Sequence, residues 1–237
     1  CGDRLIALQL ESGGWPSGGG GAPSVSKPAL TGFSHGAAGM AAALARLAQA
    51  TGEQRFADSV HRAVAYERAV FVTDEGNWPD FRSTREPNQF MVSWCHGAPG
   101  ILLSRHILRA AGLADSYTEA ELRDARACTL AAVANLTSTT AAPASHLCCG
   151  VLGLASLLRL DAALCGVSLD HRVIIAESSV INQARTSGLY TFFSVDAGSL
   201  SLPGLLTGKA GVALALLEAA ESASWMPQVL SAGLIGA

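Results

Sequence analysis

Apolar residues return at helical spacing in paired segments along this chain. Met40, Leu44 and Leu47 lie four and three apart, and Phe56, Val60 and Val64 share one face of a second segment. The same spacing predicts helices over 100–111, from Ser116 onward with Leu122, Ala125, Ala132 and Leu136 in register, and over 151–164, 171–186 and 209–221. Alanine and leucine dominate the apolar set and aromatics make up only 6% of residues, which favours helix over strand. The expected class is all-α.

The first helix of each pair is introduced by a similar stretch: "GFSHGAAG" (32–39), "SWCHGAPG" (93–100), "HLCCGVLG" (146–153) and "GLLTGKAG" (204–211). Each ends in G-x-x-G, with first glycines at Gly36, Gly97, Gly150 and Gly208, separated by 61, 53 and 58 residues. A period of this length marks a repeat architecture. The unit reads as loop, glycine motif, helix, turn, helix, and small residues at each helix start let an inner ring of helices crowd together. The expected architecture is an α/α toroid, a double ring of helical hairpins, present as a partial ring of about four repeats. Long loops precede the motifs, and repeated geometry should gather all four at one end, where loops carry function. Periodicity alone also fits a noncatalytic solenoid whose glycines serve packing.

Three thiols fall in these motifs: Cys95 in the second, Cys148 and Cys149 in the third. If the repeat brings the motifs together, they form a three-sulfur cluster with a spare corner. Zn2+ suits it, because zinc accepts thiolates tetrahedrally and a catalytic site keeps one position open. Cys128 and Cys165 lie among alanines and leucines and read as small buried hydrophobes. His35 and His96 sit inside glycine motifs, where an imidazole could move protons near neutral pH. His146, two residues before Cys148, could fill the open corner or orient a thiolate from behind. His61, His106 and His171 read as surface or partly buried residues of helices.

Composition narrows the partners. The net charge is −3 with no basic stripe, which excludes ordinary nucleic-acid binding. No apolar run reaches the roughly 18 residues of a membrane span, and no signal peptide opens the chain. Six scattered cysteines in 237 residues point to a reducing, cytoplasmic setting rather than a disulfide scaffold. The chain opens on Cys1, which reads as a fragment or processed piece.

Taken together, "GFSHGAAG", "SWCHGAPG", "LCCG" and "PGLLTGKAG" resemble the lanthionine synthetase cyclase family, and within it the C-terminal cyclase domain of class II lanthipeptide synthetases. "NWPDFR" (77–82) and "MPQVL" (226–230) resemble features of the same group. The resemblance implies a toroid with a single catalytic zinc held by Cys95, Cys148 and Cys149. Most members carry histidine at the third ligand position; Cys149 matches a subgroup with three thiolates. It also implies that His35 is the active-site acid or base, with His96 a second candidate. Residues 1–237 then form the C-terminal portion of the cyclase domain, with N-terminal repeats, the family's active-site aspartate and any dehydratase domain outside this chain. Class I cyclases place an arginine four residues before the first cysteine ligand, where this chain has Met91.

The implied reaction adds peptide cysteine thiolates to dehydroalanine or dehydrobutyrine in a dehydrated precursor peptide with its leader, closing lanthionine or methyllanthionine rings. Three thiolates plus a substrate thiolate leave the zinc site at a formal charge of −2, which makes the bound sulfur more nucleophilic. Zinc prenyl transfer and sugar hydrolysis also occur on helical toroids. The three-cysteine set disfavours the first, and Asp80, Glu86 and Asp196 lack the paired spacing of the second. The remaining alternative is a noncatalytic, zinc-stabilised toroid that binds peptides as a scaffold.

Overall fold

Each glycine motif does open a helix. In the computed structural model, which describes residues 1–16, 28–82, 89–138, 143–188, 190–191 and 202–221, a short helix α1 (Gly2–Leu8) precedes three helical pairs and one further helix. The pairs are α2 (Ala37–Thr51) with α3 (Gln54–Ala69), α4 (Ala98–Ala110) with α5 (Thr118–Ser138), and α6 (Val151–Cys165) with α7 (His171–Ser187). Helix α8 (Lys209–Glu221) follows the fourth motif. Two isolated bridges, Val72 with Asn77 and Pro79 with Phe90, are the only extended pairings among the described residues.

The first helices of the pairs pack on one another in chain order, α2 on α4, α4 on α6 and α6 on α8, while α3, α5 and α7 lie against their own partners. Burial separates the two layers. Helix α4 buries every residue from Ala98 to Leu108, and α6 every residue from Val151 to Ala162 except Arg159. Helix α7 buries only Val173, Ala176, Glu177 and Val180. A helix enclosed all round belongs to an inner layer, and one with a single apolar stripe to an outer layer. This is the inner-and-outer order of an α/α toroid, present as an arc.

The glycine spacing has a repeated steric cause. A Cβ on the second glycine of each motif would strike the carbonyl oxygen six residues earlier: Phe33 for Gly39, Trp94 for Gly100, Leu147 for Gly153 and Leu205 for Gly211. The loop folds back over the first helical turn so closely that no side chain fits. Gly97 adds a positive φ of 80°, which a side chain would strain. Adjacent motifs are also laced together. Phe33 and Ser34 both donate their N–H groups to the Cys95 carbonyl, at 3.1 and 3.2 Å, and the Cys148 N–H donates to the Leu206 carbonyl at 2.8 Å.

Two expectations are corrected. His106 is not a surface residue: it is 2% exposed, with Nε2 2.8 Å from Asp161 Oδ1. Its neighbour Arg105 is fully buried between Glu67 and Glu121, at 3.0 and 3.1 Å. The apparent charged surface of α4 is therefore an internal ion network joining α3, α4 and α5. Cys165 is partly buried rather than packed away, because its Sγ lies 3.3 Å from the Arg126 guanidinium. Cys128 does pack against the core, where burial raises its thiol to about 11.

Candidate metal centre

The turns entering α4 and α6 bring three sulfurs together. Cys95 Sγ lies 3.4 Å from Cys149 Sγ, and Cys149 Sγ lies 3.4 Å from Cys148 Sγ. All three fall within 4.8 Å of one another. Sulfurs bound tetrahedrally at about 2.3 Å from one ion stand about 3.8 Å apart, so the cluster fits a metal of that size with little movement. Cys95 is buried, Cys148 half-buried and Cys149 exposed, so the open side of the triangle faces solvent.

The electrostatics favour a cation there. Hydrogen bonding from Cys148, then Cys149, pulls Cys95 far below the ordinary thiol range, and Ser93 Oγ at 3.2 Å helps. Cys148 is pushed strongly upward by the same contacts with Cys149 and Cys95. Cys149 rises to about 11: the Cys148 contact lowers it, but the contact with Cys95 and burial outweigh that. One negative charge settles easily among the three sulfurs, and further ionisation needs a neighbouring positive charge.

His146 is buried, and its Nδ1 accepts the Cys149 N–H at 3.2 Å. That bond points the imidazole at the backbone of the loop and makes it a positioning group. Among the described residues no fourth His, Cys, Asp or Glu joins the three sulfurs.

The two histidines of the glycine motifs stand together, with ring centroids 6.2 Å apart. His35 is exposed, whereas His96 is 1% exposed with neither ring nitrogen hydrogen-bonded. Burial, then the Arg82 charge, lowers the His96 pKa and keeps the ring neutral. The nearest carboxylate is Asp80, with Oδ1 4.0 Å from His96 Nδ1. Burial would raise Asp80, but hydrogen bonds from Arg82 overcome it and hold the carboxyl below its usual range.

Sequence reasoning set Asp80 aside for want of a paired carboxylate, yet "NWPDFR" frames the site. Asn77 Oδ1 accepts the N–H groups of Trp78 and Ala98, and Nδ2 donates to the Met91 carbonyl. The Asp80 N–H donates to the Gln89 carbonyl at 2.7 Å. The segment is therefore clamped along the stretch 89–91 that leads to Cys95. Glu86, Asp196 and "MPQVL" lie outside the described residues.

Two open clefts of about 760 and 640 Å³ flank α7, the first lined by α7 alone and the second shared with α6 and α8. Neither includes a residue of the thiol cluster. No described helix is long and apolar enough to cross a membrane.

The sequence model of "Lanthionine synthetase C-like protein" matches residues 23–230. Among solved structures, "Nisin cyclase" is similar in fold, with a TM-score of 0.62 at 18% sequence identity. That match covers 86% of this chain and 50% of the cyclase chain, so this chain spans about half the length of the structure it resembles. No curated protein matches the sequence.

Proposed function

Since the chain belongs to the lanthionine synthetase C-like family, we propose that it closes thioether rings in a dehydrated peptide, using a zinc ion held by Cys95, Cys148 and Cys149. The observation that carries this reading is the convergence of these sulfurs from two separate helix-entry turns. Bound there, zinc would accept the substrate thiol at its remaining position and lower its pKa.

The chain's own residues supply the rest. Cys95 and Cys149, on different turns, fix the orientation of the site, and His146 holds the Cys148–Cys149 turn through the Cys149 N–H. The substrate sulfur adds to the alkene β-carbon, the π electrons move toward the carbonyl, and the α-carbon then takes a proton. His35, exposed beside the buried His96 ring, delivers that proton. A noncatalytic scaffold with a closed zinc site would need a fourth protein ligand, and among the described residues no further His, Cys, Asp or Glu joins the three sulfurs.

The substrate in this reading is a precursor peptide with its leader, dehydrated by a domain preceding this one in a cytoplasmic synthetase. Residues 1–237 would be the C-terminal portion of the cyclase domain. Ring closure leaves peptide mass unchanged and consumes one thiol per ring. Incubating zinc-loaded protein with a dehydrated peptide and then alkylating with iodoacetamide should show fewer alkylations at constant mass. Equal alkylation with and without protein refutes the proposal.

A further inference from the structure

The Arg82 guanidinium interacts electrostatically with the Cys95 and Cys149 sulfurs, and its partner Asp80 lies 4.0 Å from His96 Nδ1. Arg82 Nε and Nη2 grip the Asp80 carboxylate at 2.5 to 3.0 Å, in a turn where the Arg82 N–H also donates to Asp80 Oδ1. Nη2 reaches Met91 Sδ at 3.2 Å, on the stretch leading to Cys95. Among the described residues no hydrogen bond is made to Nη1, and nearly half of the side chain (47%) is exposed. The anchor is rigid: Asp80 is buried, its N–H is bonded to the Gln89 carbonyl, and the Pro79 carbonyl accepts from Thr31 Oγ1 at 2.5 Å. The hydrogen bonds to Asp80, and after them the nearby Cys95 and Cys149 sulfurs, keep the guanidinium fully charged.

A half-exposed side chain tethered along one edge presents its other edge as a fixed positive donor. Close by are the Cys95 and Cys149 sulfurs and, 4.0 Å from its Asp80 anchor, the His96 imidazole. Thiol addition needs such a donor. As the new carbon–sulfur bond forms at the β-carbon, the alkene π pair becomes the enolate of the adjacent amide, and negative charge collects on that carbonyl oxygen until the α-carbon is protonated.

We propose that Arg82, held in place by Asp80, binds the amide carbonyl of the dehydrated residue and carries the enolate charge during ring closure. The proposal rests on the cyclase reading. It assigns Arg82 as a catalytic residue and Asp80 as its positioning residue. A donor pre-aimed at developing oxyanion charge acts without reorganising during the reaction.

Two measurements on the intact zinc-loaded enzyme test it. The first uses a synthetic peptide carrying one cysteine and one dehydroalanine, which reports kcat and KM by thiol loss. Arg82→Gln should lower kcat on the order of 100-fold, the size of losing one oxyanion donor, with KM changed far less and zinc content and Tm preserved. Arg82→Lys should recover part of the rate, because it restores the charge without the fork. An Arg82→Gln enzyme cyclising at the wild-type rate overturns the proposal.

The second uses unreactive peptides that end at that carbonyl, as a carboxylate or as a carboxamide. Wild type should prefer the carboxylate by about tenfold, Arg82→Lys should keep a preference, and Arg82→Gln should lose it. Absence of the preference in wild type, or its survival in Arg82→Gln, overturns the proposal. If the preference depends on Arg82 but wild type closes no ring, anion recognition at Arg82 stands and the cyclase reading falls.

Discussion

Cys149 and His146 are joined through the backbone: the Cys149 N–H donates to His146 Nδ1 at 3.2 Å. The bond fixes which way the Cys148–Cys149 turn presents its sulfurs. His146→Ala should weaken zinc affinity by about 10- to 100-fold, the usual cost of losing an outer partner of a metal ligand. Competition with a chromophoric chelator measures it. Unaltered affinity would make His146 a bystander.

Cys95 is the sole sulfur from the second motif, and without it the remaining pair comes from a single turn. Cys95→Ala should abolish stoichiometric zinc in elemental analysis of purified protein. Retention of one zinc per chain would remove Cys95 from the ligand set.

In the proposed zinc site Cys149 would supply a third thiolate in place of a neutral imidazole. Cys149→His should retain zinc yet slow ring closure about tenfold, equivalent to about 1.4 kcal/mol of barrier. The comparison is single-turnover thiol loss on one dehydrated peptide. An equal or faster variant would show that the extra charge contributes nothing to nucleophilicity.

Acid should loosen the outer layer through Asp115. The Arg68 hydrogen bond holds its folded pKa at about 2, below the ordinary aspartate value of 3.8. A depressed carboxylate stabilises the fold above the unfolded pKa, and that contribution fades as pH falls through the folded one. Wild type should therefore melt above Asp115→Asn near neutrality, with the gap in Tm closing between about 3.8 and about 2. The pair is partly exposed, so the gap should be small and should shrink with added salt. A gap that widens on acidification contradicts this.

The buried network around Arg105 is the larger structural liability. Arg105→Met strands Glu67, leaves Glu121 with Arg68 alone, and should cost about 3–5 kcal/mol, since removing one partner leaves buried charge uncompensated. Chemical denaturation would measure it. A cost near zero would mean the two carboxyls simply take up protons.

Much of this architecture could be read in advance because it is written in local spacing. The apolar periods at Met40–Leu47 and Phe56–Val64 and the four glycine motifs located seven of the eight helices among the described residues. They also implied the meeting of Cys95 with the 148–149 pair. Helix α1 escaped because seven residues hold too few turns for a period to register. His106 was misjudged because Arg105 beside it looks like a marker of solvent. The partners that bury Arg105 lie 38 residues before it and 16 after it, on other helices. Asp80 and Arg82 carried no spacing signal either, because a loop folded along the stretch leading to Cys95 puts them at the site.

The collision that forbids a side chain on Gly39, Gly100, Gly153 and Gly211 also divides the molecule into parts that can drift and parts that cannot. Six residues ahead of each such glycine the polypeptide is pinned to the helix it is about to enter, so insertions farther upstream can be absorbed without displacing the sulfur-bearing turns. On the cyclase reading, that would let peptide selectivity be rewritten through the loops while the sulfur triangle stays put.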